Sequence, residues 1–223
     1  GAALAFSPPR TRWQSSGRAA WMGRRLSQGK TDMAKSAKEK SATAKLAKSA
    51  PAKPQAALAR LKTPTDLGDN AVKDIAAVLN RLLADSFALY LKTKNFHWHV
   101  SGPHFRDYHL LLDEQAAEIL GATDDIAERV RKIGGQTLKS VNQIARMTTV
   151  APNEADYVEP ADMLAELMED NKAFTVALRE AHTVADDHED IATASLIENW
   201  IDTTERRVWF LFETLRPAMT SGH

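Results

Sequence analysis

Apolar side chains recur every three or four residues over most of the chain from about residue 70 onward, and this spacing predicts long amphipathic α-helices. The first predicted helix starts near Asn70 and ends between His97 and Val100, because residues 101–103 read Ser-Gly-Pro. Its apolar face carries Val72, Ile75, Val78, Leu79, Leu82, Leu83, Phe87, Leu89 and Tyr90.

A second helix is predicted to open at Ser101 or Pro103, which suit a helix start, and to extend to Ile133, where two glycines follow. Its core face has a leucine or isoleucine at every seventh position. These residues are Leu112, Ile119, Ile126 and Ile133.

Two further helices complete the pattern, one from about Pro160 to Ala185 and one from about His188 to Leu215. The long connection before the third has room for a short helix near residues 142–146. No segment alternates apolar and polar residues with the period of two that strands show. The fold class is therefore predicted to be all-α, a four-helix bundle of two hairpins joined by a crossover.

The composition limits the chemistry that is available. A chain of 223 residues is long enough for one domain and an appendage. It contains no cysteine, so disulfides, thiolate zinc sites and cysteine nucleophiles are excluded, and any metal must be bound by oxygen and imidazole. It also has no apolar run of about 18 residues, the length that a membrane-spanning helix requires.

The charges divide the chain into a basic and an acidic part, although the formal net charge is zero. Residues 1–65 contain 14 Lys and Arg residues and only two acids, whereas residues 66–223 contain 15 Lys and Arg residues and 27 acids. We therefore predict a disordered basic arm over residues 1–65, a folded acidic body over residues 66–217 and a short tail over residues 218–223.

The predicted arm has two sections that meet at Met33. Residues 1–32 are rich in Arg, and three interpretations stay open: sequence before a natural start at Met33, a transit-like leader, or a native arm. Residues 33–53 are a Lys/Ala-rich stretch, which predicts non-specific, salt-dependent binding to DNA phosphates, unless the arm serves only for solubility. The predicted DNA-binding residues are Lys35, Lys38, Lys40, Lys45, Lys48 and Lys53.

Potential metal ligands lie on one face of the second predicted helix. His109 and Asp113 are four residues apart, and so are Asp124 and Glu128. Eleven residues separate Asp113 from Asp124, almost three full turns, so both pairs share a face. At helical rise the pairs are about 22 Å apart, so a single copy of the helix cannot bind one ion with both.

Antiparallel pairing with a second copy of this helix would bring the two pairs together. A two-fold axis midway between residues 118 and 119 sets His109 level with the partner subunit's Glu128, and Asp113 level with the partner's Asp124. The residues between the pairs, Ala116, Ala117 and Leu120, are compatible with close approach. This spacing predicts two equivalent sites across the axis; the alternative is a solvated polar helix face.

His97 strengthens the prediction of a metal site, since it lies about as far from the interhelical turn as His109. His99 and His104 are more simply explained as polar residues near that turn. Imidazole with several carboxylates and open positions suits iron, manganese or zinc, and the excess of carboxylates favours iron. The paired Glu-x-x-His motifs of the common di-iron bundles are absent.

Three stretches of the sequence resemble the signature of the Dps family, the DNA-protecting, ferritin-like proteins of starved cells. They read HWHVSGPHF at residues 97–105, YHLLLD at residues 108–113 and DDIAER at residues 124–129. The similarity extends over about residues 66–216, and it includes five ligand positions at matching spacings. Many members of the family have Asn at the position of His99.

The resemblance implies a ferritin-like bundle that assembles into a hollow dodecamer, with ferroxidase sites between subunits. One chain would supply His97, His109 and Asp113, and its two-fold mate would supply Asp124 and Glu128. Fe(II) would be oxidised, preferably by hydrogen peroxide, and stored as Fe(III) oxyhydroxide in the cavity. The resemblance also implies DNA binding through the arm and a cytoplasmic, nucleoid-associated location.

Two further roles are predicted near these sites. Trp98 lies beside the first ligand and would either trap stray radicals or pack at an interface. An acidic cluster opens the fourth predicted helix, where acids favour the helix dipole, and in a cage it would line a pore that attracts iron. That cluster consists of Asp186, Asp187, Glu189 and Asp190.

Two alternatives to a DNA-coating ferroxidase and iron store remain open at this point. One is a nucleoid-compacting protein without enzymatic activity, in which the metal face is vestigial. The other is a cage that stores iron but does not bind DNA. The rate of Fe(II) oxidation distinguishes the first alternative, and removal of the arm's DNA contacts distinguishes the second.

Overall fold

The computed structural model describes residues 58–217, and within this range it is helical without strands, as predicted. Helix α1 spans Asp69–His99, α2 spans Phe105–Lys132 and the short α3 spans Val141–Met147. Helix α4 spans Pro160–Asp187 and α5 spans Ile191–Leu215. Residues 1–57, which hold most of the predicted arm, and residues 218–223 lie outside the described range.

The helices form two hairpins, α1 with α2 and α4 with α5, which join through α1 and α4. Helix α3 packs on α1 within the crossover, whereas α2 and α5 contact each other least among the packed pairs. The core is formed by side chains from all four long helices. Its largest fully buried members are Phe96, Ile75, Leu79, Leu82, Leu89, Leu112, Ile119, Ile126, Ile133, Leu164, Leu167 and Leu178.

The end of α2 shows why its boundary was predictable from the sequence. Gly134 has a φ of 90°, a left-handed conformation that glycine adopts without steric cost. The N–H groups of Gly134 and Gly135 donate to the carbonyl oxygens of Arg131 and Val130, at 3.0 and 2.9 Å. This pair of bonds ends the helix and satisfies two carbonyls of its last turn.

The turn between α4 and α5 differs from the prediction. Asp186 and Asp187 belong to the last turn of α4 and do not open α5, so the predicted favourable interaction with a helix N-terminus is wrong for them. Glu189 takes the left-handed conformation with a φ of 57°, which ends α4, and Asp190 caps α5 by accepting from the Thr193 N–H at 3.1 Å. Residues 186–190 are all polar, so the hydrophobic pattern of the sequence did not indicate where this turn lies.

The start of α2 also differs from the prediction. Neither Ser101 nor Pro103 opens the helix; His104 occupies the N-cap position, and its side chain makes no capping hydrogen bond. Gly102 has a φ of 96°, so the chain turns before the helix begins. The tight connection nevertheless sets the end of α1 beside the first turns of α2, and this placement builds the site described below.

The chain before α1 is bound to the end of α2. The Thr63 hydroxyl donates to the carbonyl oxygen of Arg131 at 2.8 Å, and the Arg131 guanidinium donates to the carbonyl oxygen of Leu61 at 2.5 Å. Residues 61–63, which were assigned to the predicted arm, therefore contact the body. Among residues 58–217, no helix is long and apolar enough to cross a membrane.

Candidate metal centre

His97 and His109 face each other across the α1–α2 hairpin. The His97 ring donates from Nδ1 to the backbone carbonyl oxygen of His109 at 2.8 Å, and the His109 ring donates from Nδ1 to the carbonyl oxygen of His97 at 2.9 Å. The two rings are stacked, with centroids 3.8 Å apart and planes at 22°. Each histidine is thus oriented by the backbone of the other.

These reciprocal bonds determine which ring nitrogen is free. A carbonyl oxygen only accepts hydrogen bonds, so Nδ1 of each ring must carry the proton. In the neutral imidazole Nε2 then keeps its lone pair, the form that binds a metal ion. Two imidazole nitrogens with free lone pairs are donors of a kind that iron, manganese and zinc accept.

Asp113 lies close to this pair but is held by a lysine. Its Oδ1 is 3.9 Å from Nε2 of His97 and accepts a hydrogen bond from Nζ of Lys94 at 2.7 Å. The hydrogen bond and the charge of Lys94 keep the pKa of Asp113 below its usual value, with smaller contributions from the two histidines. The carboxylate is thus charged and available to a cation, although Lys94 competes for it.

Trp98 lies beside the predicted ligands and is 58% exposed. Nζ of Lys94 lies 5.9 Å from the centre of its ring, within the range of a cation–π contact. An exposed indole of this size is unusual on a free surface and suits either of the roles predicted for it, packing against another subunit or reaction with radicals.

Asp124 and Glu128 do not approach the histidines within the chain. Both are exposed on α2, and Glu128 pairs with Lys132 at 3.1 Å. Within residues 58–217, no three His, Cys, Asp or Glu side chains are close enough together to hold one metal ion. Because α2 is one continuous helix, His109 and Asp113 lie several turns away from Asp124 and Glu128 within the chain, as the spacing in the sequence requires.

The predicted pore acids occupy different environments. Asp186, Asp187 and Glu189 are exposed around the α4–α5 turn. Asp190 is only 4% exposed and is held by the Arg129 guanidinium at 2.5 Å and by Thr193. Its cap and ion pair account for its burial, so only the other three acids face solvent.

The remaining turn histidines have local explanations. His99 is exposed and donates from Nδ1 to the carbonyl oxygen of Asn95 at 2.8 Å, one helical turn earlier. The ring of His104 lies 5.6 Å from that of Tyr108. The DNA-binding lysines predicted at residues 35–53 lie outside the described residues.

Three residues near the predicted sites were missed by the sequence reasoning: Lys94, Phe105 and Arg129. The ring of Phe105 lies 5.0 Å from that of His109, and its spacing of four residues from His109 could have indicated this contact. Lys94 and Arg129 meet Asp113 and Asp190 across different helices. No spacing within one helix indicates such pairs.

Comparisons with known proteins identify the class to which this chain belongs. The family model described as a ferritin-like domain matches residues 76–218, which defines the class of protein. The DNA protection during starvation protein of Brevibacillus brevis is 35% identical over 138 residues, which are 61% of this chain and 91% of that protein. DNA protection during starvation protein 1 of Deinococcus radiodurans is 32% identical over 145 residues, 65% of this chain and 70% of that protein.

Solved structures give the same result. The structure of DpsC from Streptomyces coelicolor matches with a TM-score of 0.69 and 29% identity, and the match covers 72% of this chain and 94% of that one. The chain described here therefore belongs to the Dps family of ferritin-like proteins. This confirms the resemblance and the ferritin-like four-helix fold that the sequence predicted.

Proposed function

We propose that this protein oxidises Fe(II) at sites shared between two-fold-related subunits and stores the product. The observation that carries the proposal is the incomplete site: two histidines that orient each other lie beside one charged carboxylate, yet within residues 58–217 no three such side chains are close enough together to hold a metal ion. Asp124 and Glu128 are the missing carboxylates, and they are exposed on the same helix.

The surface of α2 supports pairing with a second copy. Leu110 and Leu120 are each 41% exposed, and Ala117 and Gly121 beside them are small enough to allow close approach of two helices. Ala116, which the sequence placed in this stripe, is buried within the chain and is not available to a partner. An antiparallel contact centred on this face sets each histidine pair beside the partner's Asp124 and Glu128.

The chemistry follows from pairing one-electron donors with a two-electron oxidant. Two Fe(II) ions give one electron each to hydrogen peroxide, which takes up two protons as its O–O bond breaks and yields two water molecules. A single Fe(II) would supply only one electron and would release hydroxyl radical. His97 and His109 would bind the first Fe(II), while Asp113 and the partner subunit's Glu128 would bind or bridge the second.

Storage requires an enclosed space for Fe(III) oxyhydroxide, which we propose is the cavity of a dodecamer. Twelve copies of 24.6 kDa make a particle of about 295 kDa. The exposed acids Asp186, Asp187 and Glu189 would attract Fe(II) to a pore of this particle. Light scattering that finds only monomers would contradict the cage.

We also propose that the lysine-rich arm binds DNA without sequence preference. The relatives from B. brevis and D. radiodurans are named for DNA protection, and the body here is too acidic to attract DNA by itself. Twelve arms on one particle would add many weak phosphate contacts. Such a protein would act in the cytoplasm, associated with the nucleoid.

The arm is tested by changing Lys35, Lys38, Lys40, Lys45, Lys48 and Lys53 to Gln in the full chain. The salt dependence of DNA binding should fall by about 0.9 in log–log slope for every lysine that contacts a phosphate. Changing the same residues to Arg keeps the charge and serves as the control. Unchanged gel retardation by the Gln variant would favour a cage that stores iron without binding DNA.

The oxidation is tested by stopped-flow absorbance after mixing Fe(II)-loaded protein with hydrogen peroxide, and separately with oxygen. We expect oxidation much faster than in protein-free buffer, with peroxide the better oxidant. A rate equal to the protein-free rate would favour the non-enzymatic, DNA-compacting alternative. Anomalous scattering from crystals soaked with Fe(II) would locate iron and show which subunits hold it.

A further inference from the structure

Phe105 is the first residue of α2 and lies one helical turn before His109. Its ring centre is 5.0 Å from that of His109, with planes inclined at 32°, a common geometry for favourable aromatic pairs. His109 therefore contacts two rings, that of Phe105 and the stacked ring of His97. Nothing in the chemistry proposed above uses Phe105.

We infer that Phe105 is a positioning residue that holds the His109 imidazole in its metal-binding orientation; this inference rests on the proposed function of the site. His97 is only 7% exposed, so the side chains packed around it restrict its movement. His109 is partly exposed, and within residues 58–217 its ring makes one hydrogen bond, to the carbonyl oxygen of His97. That bond and the stacked ring of His97 restrain the imidazole only in part, so it can still tilt about the hydrogen bond toward the side that His97 does not cover.

The ring of Phe105 restricts this tilt. An inclined ring 5.0 Å from the imidazole limits its rotation about the Cβ–Cγ bond, so Nε2 keeps a more constant direction before a metal arrives. Binding then costs less side-chain entropy, which for one restrained side chain corresponds to about a two- to tenfold gain in affinity. Residues that contact a metal ligand and orient it, without touching the metal, commonly change metal affinity by this amount or more.

A competing explanation is that Phe105, which is 45% exposed, serves only as apolar surface for the neighbouring subunit. The two explanations differ in what shape the side chain must have. An interface role needs apolar area, which leucine also provides. A positioning role needs a planar ring, which tyrosine retains and leucine lacks.

The experiment compares Phe105→Leu and Phe105→Tyr in the full chain, with Phe212→Leu as the matched control. Phe212 is similarly exposed, at 48%, but its ring lies against Arg216 and not against a histidine. Co(II) is the probe, because its visible absorption reports ligand geometry without any oxidation step. Affinity is measured by titration, and the mass of the assembly by light scattering.

We expect Phe105→Leu to assemble normally, to bind Co(II) about two- to tenfold more weakly and to show an altered visible spectrum. Phe105→Tyr and Phe212→Leu should match the unchanged protein. Wild-type Co(II) affinity and spectrum in Phe105→Leu would overturn the inference. Loss of assembly in Phe105→Leu would also overturn it, because the planar ring would then be required by the contact between subunits and not by the imidazole.

Failure of this inference is distinguishable from failure of the proposed function. If the unchanged protein oxidises Fe(II) rapidly while Phe105→Leu binds Co(II) normally, the shared site stands without a role for Phe105. If the unchanged protein binds no Co(II) and does not accelerate oxidation, the shared site itself is wrong and the inference falls with it.

Discussion

The rings of His97 and His109 each donate a hydrogen bond to the backbone carbonyl oxygen of the other residue, at 2.8 and 2.9 Å. This reciprocity couples the end of α1 to the first turns of α2, so neither imidazole is oriented independently. It also gives both rings the tautomer in which Nε2 is free. The two imidazoles are therefore oriented by the chain itself, which would prepare them to bind a metal at the proposed site.

Sharing of the site predicts complementation between two inactive variants. His109→Ala and Glu128→Ala should each reduce the rate of Fe(II) oxidation at least tenfold, because each removes a ligand from every site. After subunit exchange, half of the dimers are mixed, and each mixed dimer contains one intact site. Oxidation should recover to about a quarter of the unchanged rate.

The measurement is stopped-flow oxidation before and after exchange, with exchange confirmed by native mass spectrometry of tagged subunits. A mixture of Glu128→Ala with Asp124→Ala is the control, since both changes remove ligands from the same side and no mixed dimer regains a complete site. Equal activity of the two mixtures would contradict a site that is shared between subunits.

Lys94 is predicted to lower metal affinity by competing for Asp113. Its Nζ is 2.7 Å from Oδ1 of Asp113, so a divalent ion must displace or share this ammonium group. We expect Lys94→Gln to bind Co(II) about tenfold more tightly at pH 7, because one positive charge close to the ion is removed. Calorimetric titration measures the change, and Lys94→Arg, which keeps the charge, should show no gain.

The same substitution has a predicted dependence on pH. Lys94 holds the pKa of Asp113 below its usual value, so in Lys94→Gln that pKa returns upward. The carboxylate then takes up a proton at a higher pH than it does in the unchanged protein. The gain in affinity should shrink as the pH is lowered toward about 4. If the gain in Co(II) affinity were the same at low pH as at pH 7, the effect of Lys94 would not depend on the charge of Asp113.

Lys92 connects α1 with α4 and should be important for stability. Its side chain is 5% exposed, and Nζ lies 2.5 Å from Glu166 and 2.6 Å from Asp170. Lys92→Met leaves two partly buried carboxylates without their cation, so we expect a loss of about 3 kcal/mol in the free energy of unfolding at pH 7. Lys172→Met, which removes an exposed pair with Glu169, should cost less than about 1 kcal/mol.

The loss from Lys92→Met should depend on pH in a definite direction. Burial raises the pKa of Asp170 above its usual value, and Lys92 opposes that rise. Without Lys92 the folded-state pKa rises further, so stability falls as the pH increases from about 4, the unfolded value, through the folded-state pKa. Thermal unfolding at pH 5 and pH 7 checks this, and a larger loss at pH 5 would contradict it.

Glu189 combines a strained backbone with a charge at the predicted pore. Its φ of 57° is unfavourable for any residue with a Cβ, so Glu189→Gly should raise stability by about 1 kcal/mol. Glu189→Gln keeps the strain but removes the charge. We expect Gly to raise the melting temperature and both variants to slow iron uptake. Unchanged uptake in both would exclude Glu189 from the pore.

Much of the fold was predictable because helical periodicity is local. The recurrence of Leu112, Ile119 and Ile126 places them on the buried face of α2, and all three are buried. The glycines after Ile133 correctly marked the end of that helix within a residue. The turn before α5 was not predicted because glycine is the usual sign of a left-handed residue, and the residue that adopts this conformation here is Glu189.

The site was predictable in part for the same reason. The spacing of His109, Asp113, Asp124 and Glu128 followed from one helix, and the structure keeps the two pairs apart as that spacing requires. The hydrogen-bonded ion pair between Lys94 and Asp113 could not be predicted, since these residues lie on different helices. Their distance depends on how α1 is rotated and shifted against α2, which the packing of the whole interface determines.

The sequence by itself determined the helices, the faces on which their ligands lie and the division into a basic arm and an acidic body, since periodicity and charge are properties of neighbouring residues. Only the tertiary structure decided that His97 and His109 orient each other. The same is true of the hydrogen bond from Lys94 to Asp113 and of the ion pair between Arg129 and the buried Asp190. Those relationships depend on the contact between two helices, where displacement by a fraction of a turn exchanges one set of neighbours for another.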